Sequence, residues 1–376
     1  MNDTNSDTVS RRSFLKRGAA AAGATALAAP AVISAQETIT LRMQSSWPSS
    51  DVFHEMAGQY VDRVEAMSGG RLKIDLTPAG AVVGAFQVMD ATHDGVIDCA
   101  HSVVVYWYGK HKAASFFGTG PVWGGSAANL LAWIHQGGGD ELYRELTQDI
   151  LGLDVVSFFA MPMPAQPFGW FKEPVTSADA LNGLRYRTVG LAADLFQTMG
   201  ASVAQLPGGE IVPAMERGVI DAFEFNNPTS DLRFGSPDVA KNYMLSSYHQ
   251  ASECFEIIFN KDRYESLDED LQAILKHAAE AANTANFAFG LDQYSSDLQL
   301  LQQEHGVNVL RTPKSVLEAQ LTAWDQLIEE LGQDEYMKKV MDSQRAWTER
   351  TVYYELMNAP DYALAYEHYF PGKVKL

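Results

Sequence analysis

Two stretches of this chain repeat one another: Ala91-Thr92-His93-Asp94-Gly95-Val96-Ile97-Asp98 and Ala214-Met215-Glu216-Arg217-Gly218-Val219-Ile220-Asp221. The apolar pairs Val88/Ile211 and Met89/Val212 carry the match upstream in the same register. Each copy reads as a helix, a glycine that ends it, and an apolar run entering a strand. Glycine suits that middle position because it takes the left-handed conformation at a helix C-terminus without a Cβ penalty. One device used twice predicts two similar α/β lobes, and 376 residues leave room for both cores. A cleft between two lobes is a favoured place for small-molecule capture.

The surrounding pattern fits that frame. Thr38–Trp47 reads as a strand, and a helix from Asp51 follows with Met56, Tyr60, Val61, Val64 and Met67 on one face. Gly69-Gly70 stops it, and Leu72–Leu76 alternates as a second strand, giving the βαβ alternation of an α/β layer architecture. Glu253–Asn260 reads as a later strand. Ser266 and Glu269 predict a capping box for a long helix, and Ser315 and Glu318 predict one for the next. From Asp334 to about Met357 the pattern stays helical and carries Trp and several Tyr, as a brace on its own lobes or as a dimerising element.

The N-terminal stretch reads as an address. Arg11 and Arg12 open a segment without acidic residues up to Gln36, and an Ala- and Gly-rich run follows Arg17. Adjacent arginines before a mildly apolar segment predict a twin-arginine signal peptide over residues 1–35, cleaved after Ala35, and hence a periplasmic protein. Removing it takes four basic and two acidic residues and moves the net charge from −19 to −21. Such an acidic chain repels nucleic acid and anionic membranes. The two cysteines, Cys99 and Cys254, are too few for a disulfide scaffold or a Cys-rich metal centre, and are expected as buried thiols. Motifs for covalent haem, dinucleotide, metalloprotease or nucleophile-elbow chemistry do not occur, which points away from an enzyme.

Ala178-Asp179-Ala180-Leu181, leading through Asn182 into Gly183-Leu184-Arg185-Tyr186-Arg187, resembles the motif of substrate-binding proteins of tripartite ATP-independent periplasmic (TRAP) transporters. Gln166-Pro167-Phe168-Gly169-Trp170-Phe171 and Gly218-Val219-Ile220-Asp221-Ala222-Phe223-Glu224 are similar to stretches of the 2-oxo acid-binding branch. Tyr106-Trp107-Tyr108-Gly109 resembles its aromatic wall, and Phe259-Asn260-Lys261 with Tyr264-Glu265-Ser266-Leu267 continue the likeness. The resemblance implies a two-lobed periplasmic binding protein fold, α/β, with an interlobe cleft and extended C-terminal helices. It places lobe I at 36–158 with a returning segment about 228–262, lobe II at 159–227 with about 263–315, and C-terminal helices at 316–376. A receptor for an ATP-driven importer would share this architecture, and only the motif cluster separates the two.

The same resemblance implies the site. Arg187 would clamp a substrate carboxylate, which its planar guanidinium fork suits better than a lysine ammonium. Tyr106, Trp107, Trp47 and Trp170 would supply the aromatic wall. Gln166, Glu224, the backbone carbonyl of Phe225 and Gln250 would hold a cation, Na⁺ or Ca²⁺, through oxygen ligands. Two departures bear on the ligand: Gln250 stands where the branch has a second glutamate, with Glu253 close by, and Pro162 stands where it has a substrate-binding asparagine. The expected ligand is a 2-oxo or 2-hydroxy acid or a more apolar monocarboxylate, and the expected partners are a TRAP permease and a second copy of the chain.

Overall fold

The computed structural model describes residues 38–121 and 123–373, so the expected signal peptide lies outside the described residues. Eleven strands are present among them. They are β1 (Ile39–Ser45), β2 (Leu72–Thr77), β3 (Cys99–Val103), β4 (Val155–Met163), β5 (Gly169–Phe171), β6 (Arg185–Arg187), β7 (Ser202–Ala204), β8 (Ala222–Phe223), β9 (Asn242–Leu245), β10 (Glu253–Asn260) and β11 (Asn308–Arg311). They form two sheets, β2-β1-β3-β10-β4 and β11-β9-β5-β8-β6-β7. Strands β1, β2 and β3 are parallel, and β10 runs antiparallel between β3 and β4. In the second sheet β6, β7 and β8 are parallel, whereas β5 runs antiparallel to β8 and β9.

The sheet pairing moves two expected lobe limits. β4 continues to Met163 within the first sheet because its whole length pairs with β10, so the crossover comes after residue 163 rather than 158. Of the 228–262 stretch only β10 returns to the first sheet; β9 is held in the second between β5 and β11.

The repeat is a structural one. Gly95 and Gly218 have φ of 69° and 66°, and each delivers the chain to a strand that pairs in parallel with an earlier one, β3 with β1 and β8 with β6. On β1, Arg42 gives its backbone N–H (2.7 Å), Nε (3.1 Å) and Nη2 (3.2 Å) to the Asp98 carboxylate, and Nη2 also reaches the Gly95 carbonyl at 3.3 Å. On β6, Arg185 does the same with Asp221 through Nε (2.8 Å) and Nη2 (2.5 Å), and Nη1 reaches the Gly218 carbonyl at 2.5 Å. The repeated aspartate therefore pins each helix–glycine–strand turn to the neighbouring strand.

Helix α1 (Val52–Ser68) starts at Asp51, whose carboxylate accepts from the Phe53 N–H, and buries Met56, Tyr60 and Val64; Met67, expected on the same face, is exposed. The long helix α2 (Glu269–Gln303) packs on β4, α1 and the helix Pro228–Arg233, and Tyr60 Oη donates to the Leu275 carbonyl. The capping box expected from Ser266 does not form, because a short helix, Lys261–Glu265, ends there and the Ser266 hydroxyl donates back to Arg263. Pro313 at the head of α3 (Lys314–Leu331) likewise starts that helix ahead of Ser315 and leaves no box.

Helix α4 (Glu335–Asn358) is a brace over its first five turns. Val340, Met341 and Val352 are buried, Gln344 Nε2 donates to the Phe116 carbonyl, and Trp133 Nε1 donates to Ser343. From Tyr353 onward, through α5 (Tyr362–Tyr369), the side chains lie open. Cys99 and Cys254 are buried free thiols, and no described helix is long and apolar enough to cross a membrane.

Candidate functional site

Several strands aim their ends at one place. Trp47 follows β1, Tyr106 follows β3, Arg187 closes β6, and Phe225 with Asn226 follows β8. Gln166 comes from the β4–β5 crossover, and Glu253 and Phe255 come from β10. Carboxyl ends of parallel strands are where open α/β sheets expose side chains to a crevice. The small space between them is lined by the rings of Trp47, Phe53, Tyr106, Phe225 and Phe255 together with Val103 and Val189. Its polar wall is Gln166, Arg187, Asn226 and Glu253. A wider groove over β4, near Arg144, Lys276, Asp140 and Glu280, mixes both signs of charge and gathers no comparable convergent set.

Arg187 is almost fully buried, and four of its five N–H donors are engaged, leaving one on Nη2. Its Nε and Nη2 donate to the Leu206 carbonyl at 2.9 and 2.7 Å, and Nη1 donates to the backbone and carboxylate oxygens of Glu224 at 2.8 and 2.9 Å. Its guanidinium carbon lies 5.7 Å from the Phe225 ring centre. A buried ion pair of this kind contributes little net stability, because desolvation offsets the Coulomb gain. Its value lies in holding the guanidinium charge and the remaining Nη2 N–H in place.

Buried side-chain oxygens without a hydrogen-bond partner include Gln166 Oε1, in the polar wall, and Glu224 Oε2 and Gln250 Oε1. The Gln250 carbonyl accepts from the Gln166 N–H at 3.0 Å, so these two residues are neighbours. Among the described residues no group of three His, Cys, Asp or Glu gathers as a metal cluster. The donor set here is amide and carboxylate oxygen, which fits a hard cation and would fit a soft one poorly. Glu253 Oε2 accepts from Gln166 Nε2 at 2.7 Å and from Asn226 Nδ2, and burial raises its pKa from the usual 4.5 to about 8.

Two expected wall residues point elsewhere. Val104–Trp107 is a 3₁₀ turn, whose side chains step about 120° apart, so Tyr106 enters the cavity while Trp107 turns into the lobe I core. There Trp107 Nε1 donates to Glu256 at 2.5 Å. Trp170 stacks on Tyr243 with ring centres 4.4 Å apart and donates to Asp231 at 2.9 Å, away from the cavity wall. The Gln250 side chain also lies outside the wall. Sequence reasoning missed Phe53, Phe255, Val189 and Asn226. Asn226, two residues beyond Glu224, was the one within reach of a motif.

The family model described as bacterial extracellular solute-binding protein, family 7, matches residues 43–337. A monocarboxylate 2-oxoacid-binding periplasmic protein of Nostoc sp. is 29% identical over 369 residues, covering 96% of this chain and 98% of that one. A TRAP transporter solute-binding protein of Bordetella bronchiseptica, a mixed-occupancy dimer with co-purified calcium and picolinate, superposes with a TM-score of 0.82 at 28% identity, covering 89% of this chain and 97% of that one. A periplasmic solute-binding protein of Pseudoalteromonas atlantica with bound sodium and pyruvate gives a TM-score of 0.81 at 28% identity, covering 89% and 100%. With two lobes, a cleft built at strand ends and these likenesses over nearly its whole length, the chain belongs to the bacterial extracellular solute-binding proteins of family 7, the non-catalytic periplasmic receptors of TRAP transporters.

Proposed function

We propose that this receptor captures a small monocarboxylate, a 2-oxo or 2-hydroxy acid, together with Na⁺ or Ca²⁺, and delivers it to a TRAP permease. The observation that carries the reading is the buried Arg187–Glu224 pair at 2.9 Å beside the cavity. Arg187 offers a carboxylate its charge and its remaining Nη2 N–H, yet Glu224 sets a second negative charge next to it. Two such charges roughly 4 Å apart repel by about 4 kcal/mol at an effective dielectric near 20. A bound cation supplies the positive charge that lets both carboxylates share the site. Gln166, Glu224, the carbonyl of Phe225 and Gln250 are the residues that would hold it. The unpartnered Oε1 of Gln166, Oε2 of Glu224 and Oε1 of Gln250 support that assignment.

The small, ring-lined space favours an acid of few heavy atoms with an apolar tail, packed against Trp47, Phe53 and Tyr106. The 2-oxo acid and carboxylate ligands of the relatives point the same way. Closure would bring the two lobes onto the ligand by hinge motion. The test is pyruvate and lactate affinity in chelated, sodium-free buffer against buffers restored with each ion. A rise in affinity on restoring one ion is expected; unchanged affinity throughout rejects the cation.

Two finer assignments belong with this reading. Arg11 and Arg12 direct export by the twin-arginine route, so replacing both by lysine should leave a reporter fusion in the cytoplasm. The receptor also works as a homodimer, joined through its C-terminal segment. The open Tyr and Leu side chains from Tyr353 to Phe370 support that assembly.

A further inference from the structure

We infer that Glu253 is a positioning residue that acts through Gln166, fixing which end of that amide faces the cation. The inference rests on the cation reading above. Gln166 sits in the crossover between the sheets, where no regular secondary structure holds it. An amide there has two orientations, and only one presents an oxygen to a cation. Glu253 settles the choice. Its Oε2 lies 2.7 Å from Gln166 Nε2, and a flipped amide would set Oε1 against that oxygen, acceptor facing acceptor.

Asn226 Nδ2 donates to the same Oε2, which marks that oxygen as the acceptor facing Gln166. The Gln166 Oε1 left over is buried and has no partner, as a ligand oxygen awaiting an ion would be. Glu253 is itself held. It lies at the start of β10, opposite Met163, and the same Oε2 accepts from Asn226 Nδ2. Asn226 Oδ1 in turn accepts from Asn227 Nδ2 at 3.2 Å, and Asn227 caps the helix Pro228–Arg233 through the Ser230 N–H at 2.8 Å. A strand and a helix cap thus converge on one carboxylate that orients a crossover amide.

The test measures binding of Ca²⁺ alone and Na⁺ alone to the chelated mature protein, by calorimetry and tryptophan fluorescence. The variants are Glu253→Ala, Glu253→Gln, Gln166→Ala and the double Gln166→Ala/Glu253→Ala. Residues that orient metal ligands are typically worth about 10- to 100-fold in metal affinity, and Glu253→Ala should lose that much. Glu253→Gln should restore wild-type affinity, since its amide oxygen can accept from both Gln166 and Asn226. In the Gln166→Ala background, Glu253→Ala should cost nothing further. An equal loss in both backgrounds, or failure of Glu253→Gln to restore affinity, overturns the inference and makes the charge itself the contribution. Should the wild-type protein bind neither ion, the cation reading falls first and the inference falls with it. Glu253→Gln keeps the question open to refutation even where Glu253→Ala fails to fold.

Discussion

Arg187 makes four hydrogen bonds within the protein, two to one carbonyl and two to one glutamate. That arrangement orders a flexible side chain in advance, so a ligand carboxylate meets a charge and a remaining Nη2 N–H already in place. Arg187→Ala should remove carboxylate binding at a cost on the order of 2–5 kcal/mol while the lobes stay folded. Calorimetry with pyruvate, alongside a melt of the variant, checks both halves. Glu224→Gln should weaken cation and acid together, whereas Phe225→Leu should keep the cation because only its carbonyl is assigned to it; ion titrations of the two variants separate them. Glu256 gives a different kind of prediction. It is buried beneath Trp107 and Tyr143, and burial raises its pKa from 4.5 to about 7. Below pH 4.5 both folded and unfolded chains hold the proton, and the residue carries no penalty. As pH climbs toward 7 the unfolded chain ionises first, so stability falls across that window. Glu256→Gln should therefore gain on the order of 1–3 kcal/mol at pH 8 and nothing at pH 4, read from denaturant melts.

At the scale of elements, the repeated turn is the unit that builds the cleft. Asp98 and Asp221 each tie a strand entry to the strand beside it, and the strands so placed, β3 and β8, lead to Tyr106 and Phe225. Gly95 and Gly218 sit in the left-handed region, and a methyl group at either would meet no close neighbour. The cost of alanine there is backbone strain alone, about 1–2 kcal/mol. Gly95→Ala and Gly218→Ala should lower stability by similar amounts, since the two turns are equivalent. Melts of both variants would test that equivalence directly.

For the whole molecule, the C-terminal segment stands apart in its exposure. α4 belongs to its own lobe through Val352, and the chain beyond presents Tyr353, Tyr354, Leu356, Met357 and Tyr362 to solvent. This exposed apolar stretch is the basis of the homodimer proposed above. A chain ending at Val352 should fold, because it keeps every buried α4 side chain, and should run as a monomer. The full chain should run as a dimer in light scattering. A full-length monomer at high concentration would remove this assignment.

The sequence by itself determined the two-lobe plan, because a helix–glycine–strand device and its apolar pattern are local facts that hold wherever the chain goes. The resemblance of its motifs to the TRAP receptors is what put Arg187, Gln166, Trp47, Tyr106 and Phe225 in one expected site. Only the tertiary structure decided which neighbours share the cavity. A 3₁₀ turn sends Tyr106 inward and Trp107 away, a one-residue difference that no motif encodes. Phe53, Phe255 and Glu253 lie far along the chain from Arg187, on the helix after β1 and on β10 of the first sheet, and line one space with it although it belongs to the second sheet. The physical reason is range. Helix ends and turns are set by a few adjacent residues, whereas a cavity wall is set by sheet register, which long-range pairing alone supplies.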